Sequence, residues 1–288
     1  MSIDRTPLKV GQVTNIGLHT YLRAFWKLIR ISSITAAPVA VIAFMLAREA
    51  TPASAWVEDG AIMIESQGTV DRLGTVMDIA VLLMVFGSLL SMAALHVALA
   101  NQYATGTADW RESLRIGLRR TPAVLGVAGI TTLAADAPWY LLNHHGSFEN
   151  GPLAILSVVS AAVTRLMAMV VGMIAIPTVG REGSGPVAAL RRAWDLLAKG
   201  WLRTCGAVLV ASLITVLVTV LLSVVADALL RSGATTVDAV LLAVFVPVAR
   251  GLILTVPLSA SIVTVAFFDL RLRQGENPED DAALEAAT

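Results

Sequence analysis

Apolar residues fall in long blocks along this chain, separated by short polar segments. Six blocks, at about 28–46, 74–100, 122–142, 152–180, 204–226 and 238–268, each offer the roughly 20 apolar residues that a helix needs to cross a hydrocarbon core. The block at 204–226 holds 23 residues without a charge. The block at 238–268 is too long for one straight span and carries Pro247 and Pro257. It predicts either a kinked helix or an interfacial piece followed by a span from about Arg250. The pattern predicts an all-α, polytopic transmembrane helix bundle of six spans.

The polar segments have their own periodicity. Val13, Gly17, Leu18, Tyr21, Leu22, Phe25 and Ile29 recur at helical spacing, punctuated by His19, Arg23, Lys27 and Arg30. Residues 110–120 and 187–201 repeat the design. The expectation is a short basic amphipathic helix at the membrane interface before spans 1, 3 and 5. The chain then reads as three units of interfacial helix plus hairpin, a structural pseudo-repeat. Such basic helices anchor at an anionic inner leaflet.

Composition narrows the class. The chain has 288 residues, of which 56% are hydrophobic and 15% charged, against about 25% charged in a soluble domain. Its mean hydropathy is +0.75. A soluble protein of this size cannot hide so much apolar surface. One cysteine, Cys205, excludes an internal disulfide and a cysteine-based zinc site. The formal net charge of zero says little, because a membrane protein sorts its charges by side.

That sorting sets the orientation. Sixteen lysines and arginines lie in 1–30, 101–121, 181–203 and the tail, against Arg48, Arg72 and Arg231 on the other side. By the positive-inside rule the protein is expected in the cell membrane with both termini cytoplasmic. Ala53-Ser54-Ala55 resembles a signal-peptidase site. The 27 residues before the first apolar run are far longer than a normal n-region, so the first segment is read as an uncleaved helix. Residues 1–273 form one transmembrane domain, and 274–288 are expected to be a mobile acidic cytoplasmic tail.

Charges within apolar blocks are the best pointers to function, because burying them is costly. Asp78 opens the second block and Asp227 ends the fifth. Asp136 lies ~21 Å along the third, Arg165 ~20 Å into the fourth, and Arg250 interrupts the sixth. These five are expected to meet in the outer half of the bundle, with Arg165 paired to an acidic residue inside it. Asp–Arg pairs that hold helices together are the leading reading of the cluster, ahead of a solute or ion pathway and, last, a catalytic site.

Little else suggests chemistry. His144 and His145 are adjacent and diverge by about 100° on a helix, a poor arrangement for one metal. His96, near the inner end of span two, reads as a helix–helix hydrogen bond. Gly183-Ser184-Gly185 reads as a turn, and Gly87 with Ser91 as a close-packing pair. Phosphate-binding loops, dinucleotide turns and zinc-protease helices are missing. No cofactor, metal or nucleic-acid partner is expected.

Three stretches carry a family resemblance. They are Pro7-Leu-Lys-Val-Gly-Gln12 with Tyr21 and Phe25-Trp26; residues 176–203, with paired Arg191 and Arg192 and the Gly200-Trp201 step; and Phe267-Phe-Asp-Leu-Arg-Leu-Arg273. Together they resemble the membrane domain of the glycerophosphoryl diester phosphodiesterase type and related stand-alone six-helix proteins of actinobacteria. Phe267 stands where that pattern has a tyrosine, and Ala193 where it has a serine. The resemblance implies a six-helix membrane domain. It does not carry the phosphodiesterase activity, which in fused relatives resides in a separate soluble barrel. Within these motifs Arg191, Arg192 and Lys199 are expected to face phosphates or a neighbouring carboxylate. Asp269 is expected to pair with the basic interfacial helices.

The functional expectation is an integral membrane protein without a catalytic site. It would act as a scaffold or accessory subunit, with a membrane protein as possible partner. The alternative is a transporter, exporter or self-protection protein for a small amphiphilic solute.

Overall fold

Backbone polar groups in hydrocarbon must be satisfied within the segment, and a helix does this. A computed structural model describes residues 8–52, 54–58, 61–64, 67–145, 152–198, 200–231 and 236–276. The helices are α1 (Val10–Ala50), α2 (Gln67–Thr105), α3 (Trp110–His145), α4 (Pro152–Glu182), α5 (Pro186–Leu197), α6 (Trp201–Arg231) and α7 (Val237–Arg273). Five of them, α1, α2, α4, α6 and α7, contain stretches long and apolar enough to cross a membrane. The chain is a multi-pass membrane protein built almost entirely of helices. The sixth expected span, at 122–142, is helical within α3, and the side chains of its last residues, 141 and 142, lie outside the described residues.

The basic segments depart from expectation. Only α5 is a separate short helix. The segments before the first and third blocks run without a break into α1 and α3. No glycine turn separates segment from block there, and Pro122 sits inside α3 without ending it. Before the fifth block, Gly183, at φ +67°, ends α4, and Pro186 opens α5, which is the usual asymmetry of helix ends. The last block is also one continuous helix through Pro247 and Pro257. Between α1 and α2 the chain adds a small antiparallel hairpin, β1 (Trp56–Glu58) on β2 (Ala61–Met63), with Val57 opposite Ile62.

α1 packs between α2 and α7, α6 lies against α7, and α3 lies between α2 and α4. Leu28 and Ile31 meet Leu95 and Leu99 in one core cluster. Ile174, Leu196, Phe267 and Phe268 belong to another. Small residues let the helices approach closely, as membrane bundles require. A Cβ added at Gly117 would overlap the backbone of Ala94 in α2, and one at Gly17 would lie 2.8 Å from the Ile262 Cα in α7. The Gly87 signal is also realised. That position faces Val39 of α1, with Ser91 buried one turn away.

Candidate functional site

The three stretches that carry the resemblance, far apart in sequence, meet at one end of the bundle. Asp269, in the last turns of α7, is the hub. Its Oδ1 accepts the backbone N–H of Leu8 at 2.8 Å, and its Oδ2 accepts Arg273 Nε at 2.7 Å. Arg273 Nη2 in turn donates to the Leu8 carbonyl at 3.1 Å. The backbone of one residue at the start of the described chain is thus held at both polar atoms by two side chains of the last helix. The Asp269 and Arg273 side chains are only 9% and 12% exposed, so the pair is worth more than a surface ion pair. This corrects the expected partner of Asp269. An i,i+4 arginine on its own helix reaches it first, and the N-terminal backbone takes the other oxygen.

A second knot lies beside it. Glu276 binds Arg192 of α5, and Arg271 Nε donates to its Oε2 at 2.8 Å. Arg192 also donates to Gln274 Oε1 at 3.3 Å and lies 3.7 Å from Glu182 Oε1 at the end of α4. Gln274 Nε2 donates to the Asp195 carbonyl at 2.9 Å. Partial burial opposes ionisation of Glu276. The hydrogen bonds and charges of Arg192 and Arg271 outweigh it and hold the carboxyl below the usual carboxylate range.

Arg192 therefore faces neighbouring carboxylates, one of the two kinds of partner expected for it. Arg191 is exposed, and Lys199 lies outside the described residues. The acidic tail is ordered at its start, since 274–276 bind α5 and α7. The rest of it, 277–288, lies outside the described residues. Sequence reasoning missed Glu276 by assigning it to that tail. Gly275 was the available signal. It takes φ +85°, and the bonds from Gly275 N to Leu272 O and from Glu276 N to Arg271 O form the glycine-terminated cap that turns a chain back on its helix.

The intramembrane charges are only partly brought together. Arg165 Nη2 lies 3.7 Å from Asp136 Oδ1, joining α4 to α3. The side chains are 69% and 54% exposed, so the pair sits on the flank of the α3–α4 hairpin and not inside the bundle. The reason is local packing: between 132 and 140 no residue of α3 is buried. Asp78 and Arg250 are exposed and join no ion pair with these two among the described residues. Asp227 lies in α6, with its side chain outside the described residues. At the same end as Asp238, a further ion pair links Arg48 of α1 to that residue at the start of α7.

His96 is buried and Nδ1 lies 2.7 Å from Thr264 Oγ1 of α7. The Thr264 hydroxyl gives its one proton to the Ala260 carbonyl at 2.8 Å. In the tautomer with its proton on Nδ1, His96 donates to the hydroxyl that donates to Ala260. His96 thus acts as a helix–helix hydrogen bond. His144 and His145 end α3, with side chains outside the described residues. Gly183 to Gly185 form the expected turn. Arg120 of α3 closes it by donating to the Gly180 carbonyl.

Two cavities open where α5 meets α6. One of about 380 Å³ is lined by Ala198, Gly200, Trp201, Leu202, Arg203 and Arg273. The other, about 240 Å³ and apolar, is lined by Met167, Trp194, Leu197, Ala198 and Trp201. Arg273 is already neutralised by Asp269, and Arg203 is the other cation lining this corner among the described residues.

The chain matches no family model, no curated protein and no solved structure.

Proposed function

We propose that this protein is a six-span integral membrane protein, with both termini cytoplasmic, that serves as a scaffold or accessory subunit and carries no catalytic site. One observation supports the sixth span. Leu8 is clamped by Asp269 and Arg273, so the start of α1 and the end of α7 share one end of the molecule. A chain that begins and ends on the same side crosses an even number of times. α3 lies along α4, with Gly172 against Thr131 and Arg165 against Asp136. It is the crossing that makes five apolar helices six. The excess of basic residues at the Leu8 end orients that end toward the cytoplasm and its anionic leaflet.

The scaffold reading rests on how the charged motif residues are used. Asp269, Arg271, Arg273, Arg192 and Glu276 are engaged in joining the N-terminal segment, α5 and α7. A membrane protein partner and the bilayer are the ligands such a body serves, and the likeness to membrane domains that accompany other activities fits it. The second reading, transport or self-protection against a small amphiphile, draws on the exposed Arg165 and Asp136.

Arg165→Leu separates the two readings. For a scaffold, any cellular phenotype falls in proportion to the amount of protein. A phenotype lost at full abundance would favour the solute pathway. Topology is checked with a Cys205→Ala background and a cysteine at Ser147: labelling by an impermeant reagent from outside is expected, and labelling only from inside would overturn the orientation.

A further inference from the structure

We propose that the flank of the α3–α4 hairpin is a self-association seam, in which Arg165 of one copy binds Asp136 of a second copy. The inference rests on the reading of α3 as a span and goes beyond it. Along α3 the exposed residues Gly129, Leu133, Asp136 and Tyr140 follow a 4-3-4 spacing. Along α4 Val158, Ala162, Arg165 and Met169 do the same. This spacing is the seam of a left-handed helix pairing. The 3.7 Å approach of Arg165 to Asp136 puts both stripes on one side of the hairpin.

Each stripe is apolar or small at its ends and charged at its centre. A charged side chain facing lipid at this depth is costly, and intramembrane charges nearly always face protein or water. Here both remain more than half exposed despite their contact. The intramolecular pair leaves most of each charged group uncovered. A second copy is the partner whose chemistry fits. The patch holds one cation and one anion side by side, so a two-fold axis beside it sets each cation on the other copy's anion. Gly129, where an added Cβ would meet nothing, and Ala162 leave room for close backbone approach.

The test uses the full chain in native membranes and in lipid nanodiscs. The wild type is expected to be dimeric. Asp136→Arg alone and Arg165→Asp alone should each weaken self-association by about tenfold or more, as expected for opposed like charges across a close interface. Co-expressed, the two variants should form a mixed dimer, because one supplies two cations and the other two anions. A purely intramolecular pair would not be rescued this way. Should a variant fail to accumulate, cross-linking in the Cys205→Ala background decides. Leu133→Cys and Ala162→Cys should give disulfide-linked dimers, whereas Leu217→Cys on α6 should not. A monomeric wild type, no mixed dimer from well-expressed variants, absence of Leu133 and Ala162 cross-links, or cross-links to a different protein would each overturn the seam. Labelling at Ser147 tests the span separately, so a failed seam in a correctly inserted chain leaves the topology standing.

Discussion

The carboxylate of Asp269 accepts the backbone N–H of Leu8 at 2.8 Å, joining residues 261 positions apart. Arg273 completes the clamp from the carbonyl side. Leu8 also packs into the cluster of Val13, Ala207, Ile262 and Val265, so the contact closes both the polar and the apolar surface at this end of α1 and α7.

Removing the hub should be costly. Asp269→Ala strands the mostly buried Arg273 guanidinium and frees the Leu8 N–H. The expected loss is about 3 kcal/mol, as for other broken buried pairs. Asp269→Asn keeps an acceptor for Leu8 and should lose less. Thermal unfolding of the detergent-solubilised protein and the rate of proteolysis near residue 8 measure both. An alanine variant equal to wild type in the two assays would show that the clamp contributes no stability.

Acid should loosen the second knot. The Glu276 carboxyl is held below its unfolded value, so its contribution is fully present above the unfolded carboxylate pKa of about 4.3. It is lost as pH falls through the lower folded value. Proteolytic release of the C-terminal segment should therefore rise as pH drops below about 4.3. In Glu276→Gln that segment should be released readily at neutral pH, with a flatter profile. The profile of the variant against that of the wild type is the measurement. Identical profiles would remove Glu276 from the acid response.

Two glycines, one in α3 and one in α2, should answer oppositely to alanine. Gly117→Ala forces a methyl into the Ala94 backbone, and overpacking of this kind costs about 1–3 kcal/mol. Gly74→Ala in α2 meets nothing within 4 Å and should stabilise the helix by about 0.5–1 kcal/mol. Paired unfolding midpoints, one falling and one rising, are expected. If both move the same way, the close α2–α3 approach is not what limits Gly117.

Thr264→Val should leave His96 Nδ1 without its hydrogen-bond partner at nearly constant volume. The expected cost is about 1 kcal/mol, between the values typical of buried groups and of membrane interiors. His96→Phe combined with Thr264→Val should recover part of it, because neither polar partner is then stranded. A double-mutant cycle reads the coupling, and a coupling of zero would mean that the 2.7 Å contact holds no energy.

The charges near the opposite end follow a different logic. Arg165 and Asp136 are visible in sequence as ions within apolar blocks, and their approach is geometrically simple once α3 and α4 run antiparallel. Their exposure is not legible, because it depends on which neighbours cover the hairpin. Of the five charges expected to gather inside the bundle, Arg165 and Asp136 meet on its flank and Asp78 and Arg250 are exposed, while the side chain of Asp227 lies outside the described residues. Asp78 and Arg250 lie on helices whose rotation is set by small-residue contacts such as Gly87 on Val39, and an intermittent charge does not encode that rotation.

Sequence alone determined the helical, membrane-spanning character of this protein and the place of nearly every crossing. Hydropathy is a local sum, and an apolar block of sufficient length has one stable backbone solution in lipid. It also determined the turn at Gly183, because a left-handed residue at a helix end calls for glycine, whereas the same signal at Gly275 was read as part of a mobile tail. Tertiary structure decided whether a basic segment stood apart as α5 or fused into α1 and α3, since that turns on a break too short to show in a periodicity. It decided the partners too: Asp269 with Leu8 and Arg273, Glu276 with Arg192 and Arg271. Those pairings arise where chain ends distant in sequence are brought to the same end of the bundle, and no local pattern records which groups will meet there.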